Sequence, residues 1–193
     1  YRLAAQQTSE FKDFYNDHSE YMRAWSQIEK AKHAHKIEEY TESRTHYQKA
    51  ATLHETTNLW SYLAPNYHAW AKMEKAEEHS RKDETREAIQ TFKQTIDYFR
   101  TSETTLQTKL KELESSDEKQ MVENLIKASD MRQRYCLARI KIEEAKLFDR
   151  NGKYDQSARS YCQATDILSQ LIDETEYEQT VKELKQILLL SKA

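Results

Sequence analysis

Gly152-Lys153-Tyr154-Asp155-Gln156-Ser157-Ala158-Arg159-Ser160-Tyr161-Cys162-Gln163-Ala164, "GKYDQSARSYCQA", contains the only glycine in the chain. Tyr154, Ser157, Tyr161 and Ala164 follow that glycine at three- and four-residue spacing, the period of one helix face. The same layout recurs as Tyr40, Ser43, Tyr47 and Ala50 in "EEYTESRTHYQKAATLH", and as Thr85, Ala88, Phe92 and Thr95 in "KDETREAIQTFKQTIDYF". About twelve positions before each central small residue stands another: Ala31, Ala76 and Ala145. Helix hairpins explain this pattern. A small residue on the first helix admits the second at close range, and the aromatic four residues on fills space towards the next hairpin. Gly152 is then expected to cap the incoming helix in a left-handed conformation, while the other two turns do without glycine.

Composition points the same way. One glycine and one proline in 193 residues leave little for hairpin turns between strands, and 12 Tyr, 3 Trp and 5 Phe oppose disorder despite 33% charged residues. The net charge of -3 arises from interspersed acids and bases, so no global field attracts nucleic acid or an anionic membrane. No apolar run reaches the roughly 18 residues of a spanning helix, and no membrane insertion is expected. Cys136 and Cys162 lie within helical patterns, which fits reduced thiols and a cytoplasmic location. A first residue other than Met, and an apolar helical face in "TVKELKQILLLSKA", suggest a fragment of a longer chain.

The helical period breaks near Asn16–Ser19, Glu38–Thr41, Thr56–Asn58, Arg81–Glu84, Arg100–Ser102, Ser115–Asp117, Asn151–Gly152 and Asp173–Thr175, giving about eight helices. Ser115 with Glu118, and Thr175 with Glu178, have capping-box spacing, and Pro65 suits the first turn of a helix. The expected fold is all-α: a single domain, 1–193, built as a right-handed stack of antiparallel hairpins with lengthened helices. Repeat-like units are expected at about 20–56, 65–100 and 132–172, with extra helices at about 102–131 and 175–192.

The units resemble the tetratricopeptide repeat family, most closely in "NGKYDQSARSYCQATDIL" and "EEYTESRTHYQKAATLHE", where turn, aromatic, small residue, second aromatic and closing alanine align. The family's early Trp and terminal Pro are absent from their places, and the units are spaced by more than its roughly 34 residues. The segment 142–172 is also similar to microtubule-interacting-and-trafficking domains, and "YQKAATLH" to the SNAP adaptors of vesicle fusion. The resemblance implies an α-solenoid that binds protein segments.

No residue pattern stands out for catalysis, a cofactor or a metal. A single glycine excludes a phosphate-binding loop, and no His-Glu-x-x-His or Glu-x-x-His step occurs. His33 and His35 diverge by about 200° on a helix. Glu38/Glu39, Glu77/Glu78 and Glu143/Glu144 read as solvated edges with lysine or arginine partners. Arg132, Arg139 and Lys146 roughly share a face with Gln133, but the neighbouring acids Glu143 and Glu144 argue against a phosphate-binding stripe.

The expected function is therefore a non-enzymatic protein-protein interaction scaffold that receives a peptide or helical segment along its first helices. Candidate partner-binding residues are Lys30, His33, Lys72, Lys75, Glu78, Lys141 and Glu144. Trp60, Tyr62, Tyr67 and Trp70, around Pro65, form either a seam between hairpins or an apolar anchor surface. The alternative is a regulatory or sensory segment that packs on an effector domain of the same parent chain.

Overall fold

The structure, a computed structural model, describes residues 11–175 and 178–192. Among the described residues it is all-helical: α1 (Lys12–Lys36), α2 (Tyr40–Glu55), a short 3-10 turn (Ser61–Leu63), α3 (Ala64–Arg81), α4 (Thr85–Leu110), α5 (Ser116–Arg150), α6 (Tyr154–Glu174) and α7 (Glu178–Lys192). Each helix packs against the next in sequence, and α3 also touches α5.

Three of the connections are alike. Residues 37–39, 82–84 and 151–153 join α1 to α2, α3 to α4 and α5 to α6, and turns so short oblige antiparallel neighbours. In each, the middle residue is left-handed: Glu38 (φ 61°), Asp83 (φ 60°) and Gly152 (φ 69°). The amide of the next residue reaches back to a carbonyl of the incoming helix, Glu39 to Ala34 at 2.9 Å, Glu84 to His79 at 3.0 Å and Lys153 to Phe148 at 2.9 Å. This geometry satisfies carbonyls that the helix end leaves free.

The small residues meet where the spacing places them. The Ser43 hydroxyl donates to the Ala31 carbonyl at 2.9 Å, and the Ser157 hydroxyl to that of Ala145 at 3.0 Å. In the middle hairpin Ala76 and Ala88 are both fully buried. Above these contacts Tyr47 and Phe92 are buried, while Tyr161 is only half-buried.

Two cores result. One joins α1, α2 and α3 to the far ends of α4 and α5 through Ile28, Tyr47, Leu63, Tyr67, Leu106 and Val122. The other joins α3 to α6 around Met73, Phe92, Phe99, Cys136 and Leu168, and receives Leu184 from α7. Complete burial of side chains such as Phe92 and Phe99 stabilises the fold by roughly 2–3 kcal/mol each. Trp70 packs against both cores.

Several expectations need correction. Residues 102–131 are not a separate helical pair: they continue α4 and open the 35-residue α5 as one long hairpin. At and beyond the break expected near Arg100–Ser102, threonines bond back to carbonyls four residues earlier, Thr101 to Asp97 and Thr104 to Arg100, both at 3.0 Å. Their hydroxyls are thereby satisfied without ending the helix. Asn16–Ser19 likewise lies inside α1, where Asp17 accepts the amides of Asn58 and Leu59 at 2.8 and 3.1 Å and so anchors the α2–α3 connection. Ser115 does cap α5, accepting the Glu118 amide at 3.4 Å. Thr175 closes α6, donating its hydroxyl to Leu171 at 2.5 Å, and the Glu178 side chain of its expected capping box lies outside the described residues.

His54 lies fully buried beside Tyr67, with ring centroids 5.3 Å apart, and neither ring nitrogen has a hydrogen-bond partner. Burial pushes its pKa down from 6.5 to about 4.

Two predictions follow from these local features. A Cβ on Gly152 would meet nothing within 4 Å, so Gly152→Ala should cost only the conformational penalty, about 1 kcal/mol. Glu38→Gly should stabilise by up to about 1 kcal/mol, since it relieves the same strain at the equivalent position. Urea denaturation of both variants checks the pair. As pH falls from 6.5 towards 4, the unfolded chain takes up a proton at His54 while the folded chain does not. Wild type should therefore lose up to roughly 3 kcal/mol relative to His54→Phe across that window, with no change in the difference above it. Denaturation curves collected at stepped pH would show this slope.

Candidate functional site

The first helices of the three hairpins turn charged residues towards one another. On α3, Trp70, Met73, Glu74, Glu77 and Ser80 recur at three- and four-residue steps, and on α5 so do Arg132, Tyr135, Arg139, Glu143 and Lys146. From α1 comes His35, whose Nδ1 lies 2.9 and 3.0 Å from the two carboxylate oxygens of Glu74.

Arg139 is the centre of this arrangement. Its guanidinium forms an ion pair with Glu77 at 2.9 Å, donates to the Ser80 hydroxyl at 2.7 Å, and lies 5.5 Å from the centroid of the Phe92 ring. The Tyr135 hydroxyl donates to the other oxygen of Glu77 at 2.7 Å. The Ser80 hydroxyl in turn donates to Glu143 at 2.6 Å, and Lys146 donates to the same oxygen at 2.7 Å. The side chain of Glu77 is only 3% exposed and that of Glu143 is fully buried, so these two acids are bracketed between α3 and α5 and are not solvated edges. Arg139 on the facing helix, for Glu77, and Lys146 on the same helix, for Glu143, compensate the desolvation that would otherwise exclude these acids.

This environment moves the titrations. Burial lowers the His35 pKa, but the hydrogen bond and charge of Glu74, with Glu77 behind it, outweigh burial and leave it raised. Glu74 is raised by burial, with His35 opposing. Burial and the Glu77 charge drive the Tyr135 hydroxyl and the Cys136 thiol upward, so both hold their protons at neutral pH. Cys162 is exposed and forms no disulfide with Cys136. Among the described residues no three His, Cys, Asp or Glu side chains converge as a metal site.

Two cavities adjoin the network. One, of about 370 Å³, lies between His35, Lys36, Glu38 and Tyr40 on one side, Met73, Glu77, Arg132, Tyr135 and Arg139 at its base, and Lys182, Leu184 and Ile187 of α7 opposite. The other, of about 300 Å³, is lined by Trp70, Met131, Arg132, Leu171 and Leu184, with Asn124 and Lys127 at its polar side. Arg132 and Leu184 belong to both.

The residues expected from sequence to bind a partner sit on these same first helices, but around their flanks. Lys30, His33 and Lys75 are exposed. Lys72 leans over Tyr98 of α4 at 5.8 Å, and burial and Lys75 lower its pKa. Glu78 turns towards α2 and the α3–α4 turn, pairing with Arg44 at 3.1 Å and Lys82 at 2.6 Å. Lys141 and Glu144 pair with each other at 2.8 Å. None of these seven lines either of the two cavities.

Around Pro65, Trp60 is half-buried against Tyr21, 4.6 Å between centroids, Tyr62 is half-buried, and Tyr67 is buried. They pack as a seam among α1, α2 and α3. Trp70 alone of the four reaches a cavity wall. Gln133, grouped by sequence with the basic stripe, donates instead to Glu103 of α4 at 2.9 Å.

No protein-family model, curated protein or solved structure matches the chain. The arrangement itself offers a groove with a fixed polar base and an apolar lip. Its load-sharing can be measured. Arg139→Met should destabilise by roughly 3–5 kcal/mol, because it strands Glu77 in the interior. Arg139→Met combined with Glu77→Met should cost clearly less than the sum of the single variants, a coupling readable from a double-mutant cycle in urea.

Proposed function

We propose that the chain is a non-enzymatic protein-interaction scaffold of the tetratricopeptide-like α-solenoid type, in which α1, α3 and α5 line a concave groove for a peptide or helical segment of a protein partner. The observation that carries this reading is the pair of cavities sharing Arg132 and Leu184. Apolar walls from Trp70, Met73, Met131 and Leu171 can take a partner's apolar side chain, and charged groups held by the Arg139 network orient it. Three equivalent hairpins place their first helices side by side, which is how a stack of short units makes an elongated binding face.

A selection of displayed helical peptides against the intact chain, followed by chemical-shift mapping of the best binder, tests the proposal. The expected result is micromolar binding with perturbations confined to α1, α3, α5, α7 and the cavity-lining residues Tyr40 of α2 and Leu171 and Glu174 of α6. Perturbations confined to α4 and the rest of α2 and α6, or no peptide bound below millimolar concentration, would overturn it.

A further inference from the structure

The groove already holds a helix. Leu184 of α7 is 3% exposed and sits in the same core as Met73, Tyr135 and Cys136, while Lys182, Lys185 and Gln186 beside it are exposed. Ile187 and Leu188 add partial contacts, and Leu189 is 68% exposed. Among the described side chains of this 15-residue helix Leu184 alone is buried, a light anchor.

Its electrostatics are also mismatched. Lys36, Arg132, Arg139 and Lys182 face the larger cavity, against the carboxylates of Glu38 and Glu77, and Glu77 is already committed to Arg139 and Tyr135. Arg134 and Arg139 have carboxylate partners, Glu174 and Glu77. Arg132 meets no carboxylate at ion-pair distance among the described residues. It lies 4.5 Å from the Trp70 ring centroid and 5.7 Å from that of Tyr135, a half-buried guanidinium held flat by aromatic contact. Glu174, which also lines the groove, is taken by Arg134, and among the described side chains of α7 the charged one at the groove is another cation, Lys182.

Resting on the scaffold reading above, we propose that α7 is the chain's own occupant of the groove and is displaced by an acidic amphipathic helix of a protein partner, which seats an apolar side chain in place of Leu184 and a carboxylate beside Arg132. The partner keeps the shape that α7 shows to fit and replaces its unfavourable charge with the favourable one. Because α7 must leave first, the apparent affinity is reduced by the fraction of chains in which the groove is closed.

Two synthetic peptides serve as probes on the full chain. The parent peptide has the sequence of residues 178–192, and the acidic peptide carries Lys182→Glu and Lys185→Glu. Fluorescence anisotropy should show the acidic peptide binding at least about tenfold tighter than the parent. In a full chain carrying Leu184→Asp, which vacates the seat, its affinity should rise by about tenfold again. Arg132→Glu should reverse the preference between the peptides. Should that variant fold poorly by circular dichroism, Arg132→Gln should make the two peptides equal.

Equal binding of both peptides to wild type, or no gain with Leu184→Asp while hydrogen exchange shows α1–α6 intact, would overturn the displacement. The scaffold reading would survive that result if selected peptides still map to α1, α3 and α5. Peptides that bind only to the outer helices would remove both.

Discussion

The close approach of paired helices at Ala31 and Ser43, Ala76 and Ala88, and Ala145 and Ser157 is the constraint on which the remaining architecture depends. Helices normally pack with axes 8–10 Å apart, and small residues at the crossing set the near end of that range. The approach fixes the azimuth of each first helix. Once Ala76 faces α4, the residues roughly a quarter-turn away, Met73 and Glu77, must point towards the neighbouring first helices. The groove is thus a geometric consequence of the hairpin contact. Two serines strengthen that contact by donating to a carbonyl across it, which binds the helices without adding bulk.

Much of this was legible in the amino-acid order, because it depends on local spacing. The twelve-residue offset, the three turns and the cap at Ser115 are all short-range signals. What was not legible depends on register between distant helices. Glu77 and Arg139 are 62 positions apart, and nothing near either residue announces that α3 and α5 bring them to 2.9 Å. Read alone, Glu77 followed by Glu78 resembles a solvated edge. The two acids in fact diverge by a helical step, one to the interior and one to Arg44 and Lys82. The long hairpin of α4 and α5 was obscured for a different reason: polar threonines, which favour helix ends, are satisfied inside α4 by its own carbonyls. The partner residues expected from sequence lie on α1, α3 and α5 but outside the two cavities, because which arc of a helix meets a cavity depends on the azimuth that packing supplies.

The buried charges give the interface between α3 and α5 a different character from the alanine-lined hairpins. Apolar packing tolerates a small slide or rotation, whereas a carboxylate that accepts from Tyr135 and is paired with Arg139 admits one relative placement of the two helices. Such pairs add little net stability over well-packed apolar residues, so their contribution here lies in geometry. They fix the base of the groove, and a base fixed before binding lowers the ordering cost of any ligand that uses it.

Trp70 links that base to the whole fold. Its ring lies 5.5 Å from Tyr47 on α2, 6.0 Å from Phe99 on α4 and 4.5 Å below the guanidinium of Arg132 on α5. Both cores therefore position the nearer of the two rings, Trp70 and Tyr135, that orient Arg132. A charge held on so widely supported a platform cannot swing to follow a misplaced carboxylate, as an exposed lysine on a flexible stem does. On the scaffold reading proposed above, this fixed placement is what would let the groove select where along a helix an acid stands.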